Sequence, residues 1–472
     1  MRDDKTPLTG GTSSSALTTA RMNHSHRIIP ISLLIVAIPI VLLAAFFLFA
    51  VIFTHDEPRP DDSLLFLPNV VVADTDNAFV EMQRIENAHS FPSEPDPRLV
   101  AAVNDYPGNE AYAATVITDH AADITLFRQA AGKFRYQDQV FASPTTIDLD
   151  TEIFPVYSSY RQVAQVAALE AESRARNGDI QGGLDEAKDV VRFGHTMENG
   201  QGALITYLVA SSIKQTGLTG LRHIALNTAI TTAQAKETAQ KLEDYRDSRD
   251  GQANAMKMEY VAYKNFLQKN SLLGPLLGSY SISVDSNGRT IQRNSRLGNF
   301  LDYSGLSKFY YHPNQTWRYK VEQMTDGVRN SEADCTIVDV NPPRTFPVQY
   351  PNATWIFKPN AIGKILASLG EVSLGGLSTK RCNESVAISA TEATLGSRAF
   401  TAENGRLPAS WSDIVPKYLD AVPKDPYNGQ PLAYSADQKL VYSVGPDRKD
   451  LGGSPVSVDW QHSSNPSFAL SQ

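Results

Sequence analysis

The chain has 472 residues, a formal net charge of -8 and 42% hydrophobic residues. That length allows two or three domains. The acidic balance argues against a nucleic-acid-binding protein, which calls for a basic face.

Residues 1–27 are rich in Ser, Thr and Gly with few apolar side chains, and predict a disordered tail. From Ile28 to Phe53 the chain reads IIPISLLIVAIPIVLLAAFFLFAVIF, without one charge. A hydrocarbon core roughly 30 Å thick needs about 20 apolar residues, so this run predicts a single transmembrane helix with Pro39 inside it. A secretory signal has an apolar core of about 7–15 residues and a small-residue cleavage site. This run is longer and no Ala-x-Ala follows, so an uncleaved anchor is expected. Arg2, Lys5, Arg21 and Arg27 precede it, whereas Arg59 alone faces Asp56, Glu57, Asp61 and Asp62 after it. The positive-inside rule then keeps the tail in the cytoplasm and exports the rest, giving a bacterial inner-membrane protein with its bulk in the periplasm.

Residues 54–76, rich in Pro and Asp, predict an extended stalk leading to a helix near Asn77. Residues 77–270 predict a helical domain. From Phe154 onward apolar residues recur at three- and four-residue spacing, and Asn177-Gly178-Asp179 marks a stop and restart. One such pair resembles a tetratricopeptide unit, but no period recurs and a plain bundle is expected. Residues 271–360 form an irregular aromatic- and Gly-rich region with a helix at Asn314–Val328, capped by Asn314 or Thr316. Phe309, Tyr310, Tyr311 and Trp317 predict local core.

Residues 361–472 predict a separate α+β module. A helix starts within FKPNAIGKILASLGEVS. A long helix follows, with Asn383 as its expected N-cap and Gly405 as its left-handed stop. Ser410 and Asp413 suggest a capping box on a short helix. Asn428-Gly429 is a hairpin signal, and PLAYS and LVYSV, joined by ADQK, predict two antiparallel strands. The fold class is therefore mainly α, closing in a long helix on a small antiparallel sheet.

Gly405, Pro408, Asp425, Pro426, Gly429, Pro431, Tyr434, Tyr442, Ser443, Gly445, Asp447 and the later Asp459-Trp460 carry a resemblance. Over residues 385–462 the chain resembles the C-terminal part of the type II secretion major pseudopilins. The resemblance implies a calcium loop, with Asp447, Asp450 and Asp459 as its carboxylates. Calcium needs six to eight oxygens, and against it Arg448 and Lys449 dilute the charge while Ser454, Pro455 and Val456 replace the family's acidic residues. A pseudopilin also has its apolar segment at the extreme N-terminus with an early Glu. Here 27 mostly polar residues come first and the segment has no Glu, which argues against assembly into a filament. The whole chain also looks like large uncharacterised bacterial membrane-anchored proteins.

Cys335 and Cys382 read either as a disulfide, as an exported domain permits, or as two buried thiols. Their spacing does not suggest a metal site. H-E-x-x-H, phosphate-loop and G-x-S-x-G patterns are absent from the sequence. Ser211-x-x-Lys214 matches a penicillin-recognising pattern without its partner motifs. His120, His195, His223 and His312 stand alone. The expectation is a non-enzymatic interaction or structural protein that meets other envelope proteins and holds the membrane through residues 28–53. The rival is an envelope hydrolase with a site assembled from scattered residues of the helical domain.

Overall fold

A computed structural model describes residues 31–53, 55–68, 70–88, 90–92, 94–138, 154–269, 283–284, 290–291, 307–338, 357–368, 376–453 and 463–471. The expected tail at 1–27, much of the 271–360 region and Asp459 lie outside them.

Met1–Thr54 and His55–Gln472 are two compact units. In the first, helix α1 spans Ile31–Phe53, with Pro39 inside it. Its described side chains, Ile35 to Phe49 and Ile52, are mostly exposed. Among the described residues no helix is long and apolar enough to cross a membrane.

The second unit is mainly helical. Its first described residues are laid along the body rather than forming a free stalk. Asp56 accepts hydrogen bonds from the backbone N–H groups of Asn314 (2.8 Å) and Gln315 (3.1 Å). Glu57 pairs with Arg318 at 2.6 Å, and Arg59 lies 5.0 Å over the Trp317 ring. A 3-10 turn at Ser63–Leu65 then buries Leu65. The acidic residues that suggested a solvated spacer are thus partners for a helix N-terminus and for cations.

The helices follow from local signals. Helix α2 (Ala78–Asn87) is capped by Asn77, whose Oδ1 accepts from the Phe79 N–H. Helix α3 (Pro97–Asn104) has Asp96 as cap and Pro97 at its start. Helices α4 (Glu110–Asp119) and α5 (Ala121–Ala131) follow. Helix α6 (Phe154–Arg176) stops at Gly178, φ 98°, and Asp179 caps α7 (Ile180–Glu198) through the Gly182 N–H. Helix α8 covers Leu204–Asn227, and α9 (Thr232–Glu243) opens with a reciprocal capping box of Thr231 and Gln234. Helices α10 (Arg249–Lys269), α11 (Ser307–Tyr310), α12 (Pro313–Glu332) and α13 (Ala361–Ser368) come next. Helix α14 (Leu377–Asn404) is long, and α15 (Trp411–Ile414) short.

Three expected caps are corrected. Helix α12 starts at Pro313 with His312 as its N-cap residue, because proline suits the first helical position. Asn314 and Thr316 lie inside the helix, and Thr316 Oγ1 donates to the His312 carbonyl. Helix α14 starts at Leu377, six residues before Asn383. Asn383 is fully buried, and its Oδ1 accepts from the Tyr427 hydroxyl at 2.8 Å. Its amide is committed to a tertiary contact, which leaves no capping role. At α15 the Ser410 side chain makes no cap bond, while Asp413 accepts from the Ala409 N–H. Gly405 ends α14 with φ 69°.

Strand β1 (Ser283–Val284) pairs antiparallel with β2 (Thr290–Ile291). Strands β3 (Ala433–Ser435), β4 (Leu440–Tyr442) and β5 (Ser467–Ala469) form an antiparallel sheet in that order, with Tyr434 opposite Val441 and Val441 opposite Phe468. Residues 436–439 close the β3–β4 hairpin. Asn428-Gly429 instead turns a loop held by the Lys424–Pro431 bridge. The strand β5 has no counterpart among the sequence expectations.

The principal core runs through both expected domains. It joins Leu184, Val191, Leu218 and Leu221 of α7 and α8 to Val386, Ala390 and Leu395 of α14, and to Val441 and Phe468 of the sheet. Residues 361–472 therefore do not own a separate core. Tyr310, Tyr311 and Trp317 pack on a small cluster of Tyr263, Ile362 and Leu366. Helices α7 and α8 approach closely at Gly194, where a Cβ would sit 2.6 Å from the Lys214 backbone nitrogen and 2.9 Å from the Ala210 carbonyl oxygen. Gly194→Ala should cost about 1–3 kcal/mol by overpacking. A denaturant titration of wild type and variant measures it, and an unchanged midpoint would refute the close approach.

Candidate functional site

The sequence candidates separate in the fold. Cys335 and Cys382 form a disulfide, with Cα atoms 5.7 Å apart, which ties the segment after α12 to α14. In the expected calcium loop Asp447 is exposed. Asp450 Oδ1 accepts from the Tyr442 hydroxyl (3.0 Å) and the Gly452 N–H (2.8 Å). Arg448 between them donates to the carbonyls of Tyr427, Cys335 and Val338. Among the described residues, no group of three or more His, Cys, Asp or Glu side chains is placed to hold a metal ion.

Asp425 of the pseudopilin-like motif is nearly inaccessible. It accepts from the Tyr427 N–H, the Ser443 hydroxyl and the Val444 N–H at 3.0, 2.9 and 2.8 Å. That carboxylate pins the end of β4 to the turn that precedes it, which accounts for the pairing of Asp-Pro with Tyr-Ser-x-Gly in structural terms.

The histidines acquire partners that sequence spacing did not reveal. His120 Nδ1 lies 2.9 Å from Asp123 and stacks on Phe91, while Ser90 Oγ donates to the other Asp123 oxygen at 3.2 Å. The carboxylate sits between hydroxyl and imidazole, so the imidazole is not placed to take the serine proton. His223 lies 3.3 Å from Glu172. His195 is pushed down to about 4, first by burial and then by the nearby Lys214 cation.

Ser211 and Lys214 do come together, in a setting that the motif did not foretell. Helical spacing places both on the inner side of α8. Lys214 is fully buried, with Nζ 2.8 Å from Glu198 Oε2 of α7 and 2.5 Å from Glu384 Oε1 of α14. Ser211 Oγ donates to Glu384 Oε2 at 2.7 Å. The hydroxyl is spent on a carboxylate and the ammonium on two. Lys214 is held above its ordinary value by both glutamates despite burial, which favours the neutral amine. It is a cation here and not a base.

A second cation, partly exposed, also lies between two glutamates, one of them exposed. Arg246 follows α9 and meets Glu243 (2.8 Å) and Glu392 of α14 (2.9 Å), and also donates to the Ser385 carbonyl (2.9 Å) and to Ser389 Oγ (3.0 Å). It lines a groove of about 620 Å³ with Glu243, Arg249, Arg381 and the loop 421–426, beside the disulfide. The guanidiniums of this groove are engaged: Arg249 with Asp247, and Arg381 with Gln252 and the Ala333 carbonyl. Arg222, also buried, reaches from α8 to Thr391 of α14 and lies 5.0 Å over Phe468.

The candidate site is therefore a seam along one side of α14, where the fully buried Lys214 and the partly exposed Arg246 of the helical body meet carboxylates. Replacing Lys214 by Met strands two buried carboxylates and should destabilise the protein by about 3–5 kcal/mol. Equilibrium denaturation of the two proteins tests this, and a loss below about 1 kcal/mol would contradict the burial described. Compared with known families, curated proteins and solved structures, the chain matches no family model, no curated sequence and no solved structure.

Proposed function

We propose that this chain is a single-pass, membrane-anchored protein of the bacterial envelope, with its body in the periplasm and a non-enzymatic interaction or structural role. The observation that carries the reading is the charge-free run from Ile28 to Phe53, with cations before it and acidic residues after it. The disulfide Cys335–Cys382 supports it independently, since such bonds persist in oxidising compartments. The pairing of Lys214 and Ser211 with carboxylates supports a scaffolding role for that cluster, because both groups are committed to holding helices together. The resemblance of residues 385–462 to pseudopilins suggests a link to secretion-type machinery and a calcium loop at Asp447, Asp450 and Asp459. The rival, an envelope hydrolase, draws on the groove beside Arg246, whose Glu243 and Glu392 already serve that guanidinium.

Topology decides the main reading. Protease added to intact spheroplasts should digest the body and leave a membrane-embedded N-terminal fragment. Cys335 and Cys382 should resist alkylation until a reductant is added. Protection of the body in spheroplasts but not in lysed cells, or thiols that label without reduction, would sink the proposal.

A further inference from the structure

The chain that follows the apolar run is pinned to the body at several points. Asp56 accepts from the backbone N–H groups of Asn314 and Gln315 in the first turn of α12, and Arg59 lies over the Trp317 ring. Asp62 accepts from the Tyr260 hydroxyl at 2.5 Å and pairs with Lys264. Leu65 shares a core cluster with Tyr260 and Val261 of α10 and with Val321 and Met324 of α12. Further on, Gln137 donates through Nε2 to the Val70 carbonyl (2.6 Å) and accepts through Oε1 from the Val72 N–H (2.9 Å).

This held backbone turns part of its apolar content outward. Leu65 and Val72 are buried, yet Leu64 is 75% exposed, Phe66 42%, Val70 39% and Val71 74%. Single exposed apolar side chains are ordinary on a protein surface, whereas a group of them marks a contact. Outside helix α1, eight large apolar side chains are exposed among the described residues, and four of them fall within 64–71. The exposure is therefore concentrated in one short segment.

Chain length and charge point to what covers it. Asp56 stands three positions after Phe53, the last residue of the charge-free run. Three residues reach at most about 11 Å. Phe66 is kept near that point: its ring lies 4.6 Å from Lys264 Nζ, which lies 5.8 Å from the Trp317 ring, one turn into α12. The acidic residues beside the ridge are largely offset. Asp62 pairs with Lys264, Glu57 with Arg318, and Arg59 lies close by. Little net charge remains there to select a charged partner, and the attraction is apolar.

We propose that residues 64–71 form a membrane-contact ridge, in which Leu64, Phe66, Val70 and Val71 enter the interfacial layer of the bilayer that holds Ile28–Phe53. This rests on the membrane-anchored reading given above. Interfacial elements bury their apolar side about 5–10 Å into the boundary between headgroups and acyl chains. A tether of a few residues supplies a high effective concentration. The ridge then binds without the electrostatic attraction that an untethered peripheral protein draws on, and the body works at the membrane surface instead of at the end of a stalk.

The test uses the full chain in vesicles of phosphatidylethanolamine and phosphatidylglycerol, with a nitroxide quencher at a shallow acyl position. Leu64→Trp and Val71→Trp report from the ridge. Ile337→Trp is the control, at an exposed site beyond the far end of α12, a helix about 30 Å long. Each variant is read as its emission in excess of the wild type. The ridge tryptophans should lose about half of that excess and the control less than about a tenth, as the interfacial depth implies. Raising the salt to about 1 M should leave both values in place, since the contact is apolar. Flotation of the vesicles after an alkaline carbonate wash checks the anchor separately. A chain stripped by the wash overturns the anchor and the ridge together. A chain that floats, with ridge quenching no greater than the control, overturns the ridge alone. Blue-shifted ridge emission without quenching would mean that a second copy of the chain covers the segment, and would overturn the proposal as well.

Discussion

Burying the Lys214 ammonium is the constraint around which the centre of this protein is arranged. An isolated ammonium in that position would carry a desolvation penalty of several kcal/mol. The fold meets it with one carboxylate from α7 and another from α14, helices that are far apart in sequence. Neither helix can shift without exposing or stranding a charge. The close approach at Gly194 sets the depth of the site, since α8 could not lie against α7 with a larger residue there. Arg222 and Arg246 repeat the theme further along α14, reaching Thr391 and Glu392. Apolar contacts supply most of the adhesion between α14 and the body, and the charged pairs define its register.

The long helix explains why the C-terminal segment could be mistaken for an independent module. Its sequence is rich in Ala, Ser and Thr, and it is buried over nearly its whole circumference. One side rests on the small sheet and α15, as a self-contained α+β unit would require. The other rests on α8 and α9, and their apolar side chains join the same core. A pattern of small residues announces a crowded helix. It does not say how many neighbours crowd it.

Much of the fold was legible from local chemistry. Asn77, the Asn177–Asp179 break and Gly405 each act at short range, where backbone geometry and a single side-chain bond suffice. The β3–β4 hairpin was legible from two short runs, PLAYS and LVYSV, joined by ADQK. What the sequence hid were partners distant along the chain. Asn383 looked like a cap because asparagine often is one, yet its amide serves Tyr427. Ser211 and Lys214 matched a short motif by helical spacing, but only tertiary structure brings Glu384 to them. Strand β5 is three residues long and gains its place from pairing with β4, so no local pattern marked it. The acidic run after the apolar segment read as solvated because Asp56 and Glu57 find their partners more than 250 positions later.

The disulfide has a consequence for chain continuity. Cys335 and Cys382 stand 47 positions apart and close a covalent ring that contains residues 336–381. Cleavage of the backbone at any one point in that ring leaves both fragments joined through sulfur. The downstream fragment keeps α14 with its buried carboxylates, and the upstream one keeps the cations that face them. The ring thus tolerates a nick that the same chain with free thiols would have to survive by non-covalent adhesion alone, and under non-reducing conditions the nicked and intact proteins would have nearly the same mass.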